Sequence, residues 1–131
     1  MGAALFLVFR PGLEPDRVTV QHVLIAFAGT NTKATRSKAE AEKLAVEIRE
    51  RADRGEPFDE LVKRYSDDEA HPGIYTLCNK GVKPGPDEYD RAMMVPAFGD
   101  LAFTLKVGKI RMTAYDAKAS PFGWHIMKRL R

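Results

Sequence analysis

Residues 18–27 read VTVQHVLIAF, and the fold turns on this stretch. It is rich in β-branched and aromatic side chains, which suit a pleated, half-buried surface and lose rotamer freedom in a helix. Nearly every position is apolar, so the spacing predicts a strand covered on both faces, interrupted only by Gln21 and His22. Alternation then puts His22 and Leu24 on one face and Val23, Ile25 and Phe27 on the other.

Upstream, Pro11, Gly12 and Pro15 mark residues 11–17 as a connector. Ala3 to Phe9 is an apolar run too short to span a bilayer. No basic region precedes it, and Arg10-Pro11 closes it without a small-residue cleavage site. Residues 1–17 are therefore expected to be a tail or extra strand packed on a domain of residues 18–131. The remnant of a longer anchor is the alternative. Without a clear signal the expected compartment is the cytoplasm, and an extracytoplasmic one stays open if the N-terminus is truncated.

Downstream, a loop over 29–35 leads to Ser37-Lys38-Ala39-Glu40, an S-x-x-E capping box. Ala41, Leu44, Ile48 and Ala52 follow at helical spacing as one core-facing stripe. Gly55 stops that helix, and Pro57 starts a second one marked by Phe58, Leu61, Val62 and Tyr65. Residues 66–73 (SDDEAHPG) are a turn-rich loop, 74–78 a short strand and 79–90 a Pro/Gly-rich loop. A short helix over 96–105 carries Phe98, Leu101, Ala102 and Leu105, and strands at 110–115 and 123–130 close the chain. The order β, α, α, short β, α, β, β suits an α+β fold, a small antiparallel-dominated sheet with three to four helices around it.

The 131 residues, 44% apolar and 30% charged, fit one soluble domain. At this length folding buries roughly two thirds of the unfolded surface, enough for a core without staples. Cys78 is the sole cysteine, so no intrachain disulfide is open to it. Together with His22, His71 and His125 it has no ligand-set spacing, and neither a metal nor a cofactor is expected. Net charge is +3, with 21 Lys and Arg interleaved with 18 acids. The cluster of Lys106, Lys109, Arg111, Lys118, Lys128, Arg129 and Arg131 reads as a solvated face rather than a nucleic-acid stripe. A monomer without a membrane span is expected.

Four ordered blocks say more than any single residue. His22 to Ile25 reads HVLI, and Phe58-Asp59-Glu60-Leu61 is followed by Tyr65-Ser66-Asp67-Asp68. Met94 to Phe98 reads MVPAF and Phe122 to Lys128 reads FGWHIMK. With these blocks the chain resembles the parvulin family of peptidyl-prolyl cis/trans isomerases from about Val18 to Arg131. Their family counterparts are H-I-L-V, F-x-x-L-A-x-x-x-S-x-D/C, M-V-P-A-F and F-G-Y-H-I-I-K. Residues 72–78 (PGIYTLC) depart from the family's G-G-D-L-G-x-F, and a longer loop, 82–93, precedes MVPAF. The loop after the first strand also lacks the paired arginines of the phosphate-directed subclass. Lys33, Arg36 and Lys38 lie nearby, with Arg36 and Lys38 expected at the helix start beside the Ser37 cap.

The resemblance implies a fold, an activity and a site. Met94, Phe98 and Phe122 would form an apolar pocket for a proline ring, with Tyr75 on a departing wall. His22 and His125 would form a neutral, hydrogen-bonded imidazole pair beneath it. Asp68 would face the substrate carbonyl, so that Asp68→Ala loses rate at nearly unchanged Tm; a turn role is the alternative. Ser120 matches a Thr or Ser that bonds into the histidine network. The implied partners are proline-containing peptides and unfolded proteins. A catalytically weak, parvulin-like binding module is the competing reading.

Overall fold

The computed structural model describes residues 13–70 and 72–131. Its centre is the strand predicted first, β1 (Arg17–Ile25). The order continues with α1 (Lys38–Asp53), α2 (Phe58–Tyr65), β2 (Ile74–Cys78), β3 (Tyr89–Asp90) and a 3-10 turn (Arg91–Met93). It ends with α3 (Pro96–Thr104), β4 (Ile110–Thr113) and β5 (Trp124–Arg129). The sheet order is β3-β2-β1-β5-β4, with every pairing antiparallel except β2 with β3. This is the expected α+β fold.

Both faces of β1 are covered, as its composition requires. Val23 and Ile25, with Trp124 and Ile126 of β5, pack against α1 and α2. Val18 and Val20, with Leu77 and Met127, pack against α3 through Phe98, Ala102 and Phe103. The Ser37 cap forms as predicted: Oγ accepts from the Glu40 amide at 3.1 Å, and the Ser37 amide donates to Glu40 Oε1 at 2.9 Å. The buried stripe of α1 is Ala41, Ala45, Ile48 and Ala52, with Leu44 only at its margin. Small side chains there let the helix lie close on the sheet.

Three expectations change. The first strand ends at Ile25 rather than Phe27, whose ring instead packs on Tyr115 and Trp124. Loop 79–90 is not wholly irregular, because Tyr89 and Asp90 pair with Leu77 and Cys78. Residues 13–17 are more than a connector: Glu14 pairs with Arg91 at 2.6 Å, and Asn79 donates to the carbonyls of Pro15 and Asp16. The expected strand or tail at 3–9 lies outside the described residues. Among the described residues, no helix is long and apolar enough to cross a membrane.

Gly123 fixes how β5 meets β1. Its φ is +142°, and a Cβ there would stand 2.1 Å from the Ile25 carbonyl oxygen. Only glycine allows that approach, and β5 then runs alongside β1 with His125 two residues on.

Candidate active site

Register brings the two histidines together. His22 pairs with Met127 and Leu24 with His125, so the imidazoles sit diagonally on one face. Their Nδ1 atoms are 3.1 Å apart, and each residue is 3% exposed. His22 Nε2 lies 2.7 Å from Asp68 Oδ2.

The hydrogen-bond network assigns the protons. An ionised carboxylate only accepts, so His22 Nε2 carries hydrogen and donates to Asp68. His22 Nδ1 is then the acceptor of the neutral ring, and His125 Nδ1 donates to it. His125 Nε2 is left as a bare lone pair; it is buried, and among the described residues nothing hydrogen-bonds to it. Burial, and then the positive charge His22 could carry, push the His125 pKa well below the usual histidine value.

Asp68 sits where three consecutive residues tie the loop after α2 to the end of β1. Ser66 Oγ accepts from the Leu24 amide at 3.1 Å, and Asp67 Oδ2 accepts from the Ala26 amide at 2.8 Å. Asp68 itself reaches the ring of His22. Its Oδ2 also accepts from the Tyr75 hydroxyl at 2.5 Å, and its Oδ1 from the Ala70 amide at 3.0 Å. Burial alone would raise the Asp68 carboxyl, but the bonds from His22, Tyr75 and Ala70 outweigh it and hold the carboxyl below its ordinary value. The same contact, after burial, raises the Tyr75 phenol. Asp68 thus serves the turn and the imidazoles together. Removing it should therefore lower Tm as well as rate, contrary to the sequence expectation.

Above the pair opens a cavity of about 580 Å3. Its apolar wall includes Met94, Phe98 and Phe122, and also Leu24 and Val95. Phe98 stands edge-on to His22, His125 and Tyr75, at centroid distances of 4.9, 5.6 and 5.6 Å. That ring joins the floor to the greasy wall. Tyr75 lines the cavity, while its hydroxyl turns to Asp68.

Two residues make contacts that the sequence does not predict. Ser120 is fully buried, and its Oγ donates to the Gly123 carbonyl at 2.7 Å. It braces the turn before β5 and bonds to neither imidazole, because the hydroxyl proton is spent on that carbonyl. Arg36 directly precedes the Ser37 cap at the helix start, but its guanidinium crosses to the Ala26 carbonyl and to Asp67. Sequence reasoning also missed Met93, which lines the cavity while 83% exposed; a methionine in a loop carries no periodic signal. Asp67 was missed too, although the repeated acid of Ser66-Asp67-Asp68 was a clue. Among the described residues, no group of three or more His, Cys, Asp or Glu is gathered as a metal set.

A cavity that can seat a pyrrolidine, over two imidazoles hydrogen-bonded to each other, suits rotation of an amide rather than its cleavage. That class of protein is the peptidyl-prolyl isomerase domain. Residues 10–130 match the family model of the PPIC-type PPIase domain, and the chain belongs to that family.

Among curated relatives it is 32% identical over 114 residues to the chaperone SurA of Nitrosospira multiformis, covering 86% of this chain and 22% of that protein. It is 38% identical over 87 residues to foldase protein PrsA 4 of Bacillus cereus, covering 66% and 27%. The chain thus spans about a quarter of the length of these relatives. Peptidyl-prolyl isomerase ESS1 from Candida albicans shares the fold, with a TM-score of 0.70 at 23% identity over 98% of this chain and 72% of that one.

Proposed function

We propose that the domain accelerates cis/trans rotation about X–Pro bonds in peptides and unfolded chains without a covalent intermediate, and so assists folding. The observation that carries this reading is the hydrogen-bonded His22–His125 pair beneath the Met94, Phe98 and Phe122 wall, with Asp68 beside it.

The barrier to be lowered is lost amide resonance, about 18–20 kcal/mol. Cis and trans differ by only about 0.5–1 kcal/mol, yet they interconvert in tens to hundreds of seconds. In the twisted state the carbonyl is uncoupled from nitrogen and loses part of its negative charge. A site that binds this state better than the planar one needs no nucleophile. The apolar wall holds the ring and strips water from the amide, which disfavours the polar planar form. Asp68 presents a negative charge to the carbonyl, opposing the charge that resonance would place there. The imidazoles hold Asp68 and Phe98 in place. Lowering the barrier by about 5 kcal/mol gives roughly four powers of ten.

We read the domain as acting as a monomer and without nucleic acid, since its cations are interleaved with acids. A protease-coupled assay on short X–Pro peptides tests the proposal. Acceleration by the unmodified chain, falling about ten- to a hundredfold in His125→Ala, is the expected result. Binding of unfolded chains with no acceleration would replace it with the binding-module reading.

A further inference from the structure

The cavity is larger than a proline ring needs. At about 580 Å3 it falls in the range of sites for far larger ligands, roughly 300–1,000 Å3. Residues flanking the proline must therefore be seated in it too. Its lining is of two kinds: the apolar side chains Met94, Phe98 and Phe122, and the largely polar loop 31–33 and run 67–69. This inference rests on the isomerase reading, in which the ring takes the apolar side and the preceding carbonyl turns toward Asp68. The side chain of the residue before proline then lies over the polar side.

The charges there are not equally free. Asp67 is held by Arg36 and the Ala26 amide. Asp68 is held by three donors. Among the described residues, Lys33 and Glu69 hold only each other: Nζ lies 2.9 Å from Oε1, with side chains 89% and 73% exposed. The pair bridges the loop after β1 and the loop after α2, two walls of the cavity. An exposed ion pair nets little energy, so either partner can swing to a ligand.

The surrounding field decides which ligand gains. Lys33 and Arg36 against Asp67, Asp68 and Glu69 leave one net negative charge. Among the described residues Asp68 meets no Lys or Arg; its donors are an imidazole, a phenol and an amide. An anion before proline would add to that charge, and a phosphate carrying about two charges would add more. A cation would meet the second Glu69 oxygen and the field of Asp68.

We infer that the Lys33–Glu69 pair is a specificity device that favours Lys or Arg immediately before proline and disfavours Asp, Glu and phosphoserine. The test is kcat/KM for four peptides that differ only in that residue: Arg, Leu, Glu and phosphoserine. The unmodified chain should favour Arg over Glu by about three- to fivefold, the scale of one exposed pair, with phosphoserine below Glu. Glu69→Lys should bring the Arg-to-Glu ratio to one or less, Lys33→Glu should widen it, and about 0.5 M salt should shrink it. Ratios within one variant cancel any loss of folded protein. An unmodified ratio of one, or a ratio unmoved by both substitutions, overturns the inference. If the Leu peptide is accelerated while the ratio is one, only this inference fails. If no peptide is accelerated, the isomerase reading fails and this one falls with it.

Discussion

The two faces of the sheet are built from the same strands and put to different uses. On the face toward α1 and α2, Val23, Ile25, Trp124 and Ile126 meet alanines, Ile48, Phe58 and Leu61 in a dry core. On the face toward α3, the same strands carry His22 and His125 among Val20, Met127 and Phe98. A one-residue step along β1 separates a group that only stabilises from one that must also be satisfied by hydrogen bonds. The α1/α2 face admits little polarity, chiefly Gln21, which donates to Asp59 and to the Pro72 carbonyl, whereas the other face carries a hydrogen-bonded chain from Tyr75 through Asp68 to both imidazoles. The lesson is that alternation can keep the site's polar demands out of the main core.

That contrast can be broken at the point both faces share. Gly123→Ala would drive a Cβ into the Ile25 carbonyl and should cost at least about 4 kcal/mol, seen as loss of a cooperative melt. Next in size, Ile48→Ala on the dry face should cost about 2–5 kcal/mol while leaving kcat/KM per folded molecule intact. His125→Ala on the polar face should do the reverse. It should remove activity by about ten- to a hundredfold and cost only about 1–3 kcal/mol. Equal effects of these two substitutions on turnover would erase the distinction between the faces.

The smallest effect is on pH dependence, and its sign follows from the shifts. His125 binds a proton less readily when folded, so below its ordinary value of 6.5 the unfolded chain takes up more protons and stability falls. Asp68 is held ionised, so its contribution is lost in turn as pH drops through 3.8. Tyr75 is held protonated, so its contribution is lost as pH rises through 10.0. Denaturant melts should show a plateau at neutral pH and a decline on each side, with activity failing on the acid limb. His125→Ala should flatten the first step of that limb.

Much of this was legible because it is local. The β-branched run of β1, the Ser37–Glu40 box and the MVPAF block each state their conformation within a few residues. Strand alternation put His22 with Leu24 and apart from Val23 and Ile25, while its pairing with His125 was implied by the family resemblance. What was illegible depended on who meets whom in space. Arg36 sits one residue before the Ser37 cap, and nothing local says its guanidinium crosses to Asp67. The Tyr75 hydroxyl finds Asp68 only because β2 lies beside β1. Ser120 is spent on a carbonyl three residues on, and β3 exists only as a partner to β2.

The claim beneath all of this is a shared proton between two uncharged rings from opposite ends of the chain. Long-range proton–nitrogen correlation NMR of the imidazole side chains at neutral pH reads it directly, with the three histidines assigned by substitution. The account predicts His22 as the Nε2–H tautomer and His125 as the Nδ1–H tautomer, both neutral. An imidazolium at either position, or the Nε2–H form at both, would contradict it.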